Sequence, residues 1–125
     1  MNKIVLIFDD NSAETCAYLI EHQSDFLCLP YEDSKSCLSD LEAGLKFDLF
    51  LVDRSLDITS SRNAILAGGF NPVTGDDLGK KVRQLYPQLP IIRLSAYDDK
   101  PIYSNRHLVK PVGSKDIIEA IQTFL

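Results

Sequence analysis

The sequence predicts a three-layer α/β/α domain built on a five-stranded parallel sheet. Three observations predict it. Short continuous apolar runs recur along the chain, stretches of helical period lie between them, and polar residues stand where the runs end. Apolar runs of four or five residues without strict alternation suit strands covered on both faces. Alternating β and α segments of these lengths build parallel sheets with right-handed crossovers. With 125 residues, the expectation is a single domain over residues 1–125, able to bury about two thirds of its unfolded surface.

The first strand is expected at residues 4–8 (IVLIF). Residues 11–23 then show a helical stripe of Ala13, Cys16, Ala17 and Ile20, with Asn11 and Glu14 at capping-box spacing. A second strand is expected at 26–29. The helix after it, 33–43, carries Cys37, Leu38 and Leu41 on one face and stops at Gly44. The third strand is expected at 49–52, and a helix over 76–86 presents Leu78, Val82 and Leu85 before Pro87 ends it. The fourth strand is expected at 91–94 and a weaker fifth at 108–109, just before Lys110-Pro111. The last helix, 113–124, presents Ile117, Ile118 and Ile121.

Two segments break this rhythm. Residues 57–74 (DITSSRNAILAGGFNPVT) are rich in small and turn residues and have no clear period; a loop that long in a compact domain is usually functional or hides a short helix. Residues 97–106 (YDDKPIYSNR) stand where a crossover helix is due but are short and contain Pro101.

Composition narrows the partners. The net charge of −5 argues against a nucleic-acid or membrane surface as the main partner. No apolar run approaches membrane-spanning length, and the chain enters a strand pattern directly, without a signal-peptide layout. Cys16, Cys28 and Cys37 are odd in number and fit no metal-ligand spacing. They read as reduced packing thiols of a cytoplasmic protein.

The chemistry lies at the ends of the strands. The first ends in Asp9 and Asp10, the third in Asp53, the fourth in Ser95 and the fifth in Lys110. Two carboxylates about 4 Å apart repel by roughly 4 kcal/mol at an effective dielectric near 20, so an adjacent acid pair at the end of a buried strand calls for a cation. In open α/β sheets the ligand site lies outside the carboxyl ends of the strands, where strand order reverses. In a flavodoxin-like order, 2-1-3-4-5, the first and third strands are neighbours there, and Asp9, Asp10 and Asp53 converge. Three carboxylates suit a hard, oxygen-seeking ion such as Mg²⁺. With Lys110 and a hydroxyl added, the set is suited to phosphoryl transfer. Taken singly, each residue has a plainer reading: the acid pair as a helix-terminus charge, Asp53 as a strand-end turn, Lys110 as a solvated charge. Asp76-Asp77 suits a helix start and Asp98-Asp99 an exposed loop; neither is assigned to the metal.

These residues resemble one family, the receiver domains of two-component response regulators. IFDDN is similar to its acidic pair, LFLVDRSL to its phosphoacceptor strand, IIRLSA to its Ser/Thr-Ala strand, and HLVKPVGSKDIIEAI to its Lys-Pro turn and last helix. The resemblance spans nearly the whole chain. It implies that Asp53 is the phosphoacceptor, that Asp10 binds Mg²⁺ directly and Asp9 mainly through water, and that Ser55 offers its carbonyl to the metal. It implies further that Ser95 and the Ala96 amide bind phosphoryl oxygens and that Lys110, set by a cis Lys-Pro bond, pairs with the phosphoryl charge. His107 falls where the family has an aromatic switch residue, which pairs it with Ser95 as a switch element.

The sequence also departs from the family. Asp57 stands where a proline is expected and Gly75 comes late, so 57–74 reads as an insertion beside Asp53, and the fourth helix region is shortened. The inserted segment is expected to carry much of any phosphorylation-dependent change. The function so implied is a phosphoacceptor, not an enzyme, that receives a phosphoryl group from a histidine kinase or phosphotransfer protein and controls an unknown downstream protein. No direct nucleic-acid or membrane contact is expected. The alternative is an interaction module of the same fold that works without phosphorylation. A haloacid-dehalogenase-type phosphatase wants a second Asp two residues after the first, and Asp53-Arg54-Ser55 lacks it.

Overall fold

The computed structural model describes residues 2–53, 75–96 and 102–125. In chain order the elements are β1 (Ile4–Phe8), α1 (Ala13–Gln23), β2 (Leu27–Tyr31), α2 (Ser34–Glu42), β3 (Leu49–Asp53), α3 (Gly75–Leu85), β4 (Ile91–Ser95), β5 (Arg106–Val109) and α4 (Ser114–Phe124). The strands form one sheet of order β2-β1-β3-β4-β5, every neighbouring pair parallel. The predicted flavodoxin-like topology is the one observed. Ser55 and the 57–74 stretch lie outside the described residues, as do Asp98, Asp99 and Pro101. No helix among the described residues is long and apolar enough to cross a membrane.

The central strands are covered on both faces, which is why β1 and the first four residues of β3 read as unbroken apolar runs and β4 as one interrupted by Arg93. Successive side chains point to opposite faces. Val5, Ile7, Leu49, Leu51, Ile92 and Leu94 meet Ala13, Ala17 and Ile20 of α1 and Ile117, Ile118 and Ile121 of α4. Leu6, Phe8, Phe50, Val52 and Ile91 meet Cys37 and Leu41 of α2 and Leu78 and Val82 of α3. Cys28 and Cys37 are buried within these layers and Cys16 is half-buried; burial pushes their thiols up to about 12, 12 and 11 respectively. Such thiols stay protonated and unreactive, in keeping with packing.

Several boundaries differ from the sequence reading. Strand β2 continues through Pro30 to Tyr31. It is an edge strand, where the missing proline N–H costs no ladder bond. β5 starts at Arg106, two residues earlier than expected. The capping box expected at Asn11 and Glu14 does not form: Ser12 is the N-cap of α1, and its side chain makes no cap bond. Its hydroxyl is donated to Asp9 instead. Asp33 caps α2 by accepting from Lys35 N and Ser36 N, and Gly44, at φ 91°, supplies the left-handed stop that alanine or a larger residue would resist.

Between β4 and β5, residues 102–105 form a turn rather than a helix. The ring of Tyr103, only 5% exposed, packs on Gly79 of α3. A Cβ at Gly79 would lie 2.2 Å from that ring. Alanine at a helix interior gains about 1 kcal/mol over glycine, but here overpacking costs about 1–3 kcal/mol and pushes the Tyr103 hydroxyl off its partner. Gly79→Ala is therefore expected to destabilise by about 1–2 kcal/mol in urea unfolding. In a Tyr103→Ala background the same change should stabilise; destabilisation in both backgrounds would refute the packing explanation.

Candidate functional site

Parallel pairing brings every strand's carboxyl end to one edge of the sheet. Phe8 of β1 is paired in register with Val52 of β3, so the next residues along, Asp9 and Asp53, face each other. Both are buried, at 6% and 7% exposure. Asp9 is held from its own side: Oδ1 accepts from Asn11 N (3.0 Å) and Ser12 N (3.2 Å), and Oδ2 accepts from Ser12 Oγ (2.8 Å). Ser12 has no part in the sequence reading of the site. Its usual signal, a serine before an apolar run, points to helix capping and conceals this role.

Lys110 follows β5, and its backbone N–H donates to the Ser95 carbonyl (2.8 Å), which fixes where its side chain begins. The Lys110-Pro111 bond is cis, as the resemblance implied. Lys110 Nζ makes an ion pair with Asp53 Oδ1. That buried oxygen has Lys110 as its ionic partner. Asp9 faces Asp53 across the β1–β3 pairing.

The two carboxyl groups titrate as a unit. Burial, then the neighbouring Asp9, push Asp53 up to about 7, against the pull of Lys110. Burial works to raise Asp9 as well, but the bond to Asp53 and those from Asn11 and Ser12 outweigh it and hold Asp9 below the usual carboxylate range. Two facing carboxyls beside a single lysine disfavour a second negative charge, and the upward shift falls on Asp53.

Asp10 is exposed, one residue beyond the buried pair. Among the described residues no group of three His, Cys, Asp or Glu side chains is gathered as a ready metal cage. The donor set in place is therefore two facing carboxylates, sufficient for Mg²⁺, which is held by one or two carboxylates and keeps several waters. Ser95 is fully buried at the end of β4, and Ala96 beside it is exposed. Asp9, Asp53, Ala96 and Lys110 line a cavity of about 560 Å³ together with Leu19, Leu94, Val112 and Ile117. His107 stands opposite Arg93 in the β4–β5 register, its Nδ1 3.5 Å from Arg93 Nη1.

Arg93 was not among the sequence-predicted residues. It is 1% exposed in the middle of β4 and pairs with Asp76 in the first turn of α3 (Nε to Oδ1, 2.9 Å). An arginine inside the run IIRLS is the sequence signal that marks it, since a buried guanidinium needs a partner.

No protein-family model matches the sequence, and no curated protein matches it. Solved structures do match the fold. A CheY-like response regulator receiver domain protein from Methanospirillum hungatei is 20% identical with TM-score 0.74, over 98% of this chain and 93% of that one. Chemotaxis protein CheY4 of Vibrio cholerae is 18% identical with TM-score 0.73, over all of both chains. Response regulator TrrA of Thermotoga maritima, solved in complex with Mg²⁺-BeF, is 18% identical with TM-score 0.71, also over all of both. At these identities the likeness is one of fold, and it spans nearly every residue: the chain has the fold of the CheY-like response regulator receiver domains.

Proposed function

We propose that this chain is a cytoplasmic phosphoacceptor domain that takes a phosphoryl group on Asp53 from a histidine kinase or phosphotransfer protein and changes conformation to control a protein partner. One observation carries the reading: a buried aspartate at the end of β3, facing a second carboxylate and paired with a lysine that arrives from β5. An Asp53 oxygen attacks phosphorus as the donor's P–N bond breaks, and the electron pair returns to the donor's imidazole. The acyl phosphate formed leaves Lys110 free to pair with the new charge. Mg²⁺, held by Asp9 and Asp53 with Asp10 and the Ser55 carbonyl beside them, would neutralise phosphoryl charge, as the Mg²⁺-BeF complex of TrrA suggests by analogy. Ser95 and the Ala96 amide would bind phosphoryl oxygens. The domain is a substrate of its donor and turns over no separate substrate of its own.

The test is incubation with acetyl phosphate and Mg²⁺ followed by intact mass. A gain of one phosphoryl group is expected, lost in Asp53→Asn and on chelation of the metal. Folded, Mg²⁺-loaded protein that gained no mass would shift the reading to an interaction module that works without phosphorylation.

A further inference from the structure

Away from the site just described, Arg93 is a charged side chain buried in the sheet. Its guanidinium reaches Asp76 twice, through Nε to Oδ1 (2.9 Å) and Nη2 to Oδ2 (3.3 Å). The Tyr103 hydroxyl donates to the same Asp76 Oδ1 (2.5 Å). Four elements therefore meet in one cluster: β4 through Arg93, α3 through Asp76, β5 through His107, and the β4–β5 turn through Tyr103.

Each end of this cluster is anchored. At one end Gly75, the neighbour of Asp76, lies against the backbone of the phosphoacceptor. A Cβ there would sit 2.9 Å from the Asp53 carbonyl oxygen and 3.2 Å from Val52 Cγ2. At the other end Arg83 of α3 clamps the turn, with Nε on the Tyr103 carbonyl (3.0 Å) and Nη2 on Asn105 Oδ1 (2.6 Å). Asn105 in turn exchanges bonds with Ile91, its Oδ1 accepting from Ile91 N (2.8 Å) and its N–H donating to Ile91 O (2.8 Å). Apolar packing tolerates small slips, but a bidentate ionic contact shared with a hydroxyl does not, because each bond is directional.

We propose that the Arg93–Asp76–Tyr103 cluster ties the backbone of Asp53 to the β4–β5 turn, so that occupancy of the Asp53 site and the order of residues 102–105 are coupled. Asp76, Arg93 and Tyr103 are positioning residues in this scheme; none touches the phosphoryl group. The inference rests on the phosphoacceptor reading of Asp53. Coupling of this kind is reciprocal: whatever loosens the turn weakens ligand binding at Asp53 by the factor with which the ligand tightens the turn.

The experiment uses the full chain with Mg²⁺ and beryllofluoride as probes. Binding is read by fluorine NMR, and protection of residues 102–109 by hydrogen exchange. Three variants are compared with the parent: Tyr103→Phe, Asp76→Asn, and Tyr86→Phe as a control that removes a hydroxyl bond to the Leu45 carbonyl on α2's exit. The expected result is that beryllofluoride increases protection of residues 102–105 in the parent. Tyr103→Phe and Asp76→Asn should lose that increase and bind beryllofluoride about fivefold more weakly or worse, while Tyr86→Phe keeps both properties despite a similar loss of stability. Beryllofluoride bound with protection of 102–105 unchanged would overturn the coupling and leave the phosphoacceptor reading intact. Equal affinity in parent and cluster variants would overturn it too. Absence of bound beryllofluoride in the parent would overturn both.

Discussion

Arg93→Ala is expected to lower the unfolding free energy by about 3–5 kcal/mol. The guanidinium is 1% exposed and Asp76 is its ionic partner. Removing it takes the ionic partner from a carboxylate in the first turn of α3, and it empties the volume of a long side chain. The ion pair itself need not stabilise. Its gain in Coulomb energy is set against the desolvation of both groups, and well-packed apolar replacements of buried pairs are often neutral or better. The double variant Arg93→Met/Asp76→Leu should therefore recover most of the loss. Urea unfolding of the two variants beside the parent checks both statements. A loss under about 1 kcal/mol for Arg93→Ala would mean that Asp76 is solvated enough to do without its partner.

Lys110→Ala should separate metal binding from the response to phosphate. The ammonium pairs with Asp53 and repels any cation that approaches the same carboxylates. Without it, Mg²⁺ affinity is expected to stay the same or rise, since a divalent ion then meets two carboxylates with no competing charge. The response to a phosphoryl mimic should vanish, because phosphorylation adds about −1.5 to −2 charge and three acceptor oxygens that Lys110 is placed to meet. Ser95→Ala should behave the same way in weaker form. Titration with Mg²⁺, then with beryllofluoride, reads the two effects in one sample. A variant that lost Mg²⁺ binding yet kept the beryllofluoride-induced change would reverse the assigned roles.

The parallel sheet, its strand order and the meeting of Asp9, Asp53 and Lys110 were legible because they follow from periodicity and from one topological rule about strand ends. What escaped depends on position within the sheet. β2 looked finished at Leu29 because Pro30 forbids a central strand, and only its place at the edge allows it. β5 looked two residues long because Arg106 and His107 are polar, which an edge strand again permits. Ser12 was spent on Asp9 rather than on its helix, a choice that turns on the three-dimensional nearness of the acid pair. Arg93 stood in plain view, but its partner lies 17 residues back on another element, and no local pattern points there. Asp10, the next residue after the buried Asp9, is exposed.

The outer edge of β2 has a consequence for how copies of this chain meet one another. Leu27 N–H donates to Lys3 and the Tyr31 carbonyl accepts from Asp9, so odd-numbered backbone groups of the strand face β1 and the even-numbered ones face outward. The outward residues are Cys28 and Pro30. Proline has no N–H to offer, and the Cys28 N–H is already taken by Glu21 Oε2 at 3.2 Å, a carboxylate that reaches down from α1. An incoming strand finds neither donor available along the middle of this edge. Open sheet edges template aggregation, and here a proline ring and a borrowed carboxylate withhold the donors that such pairing needs.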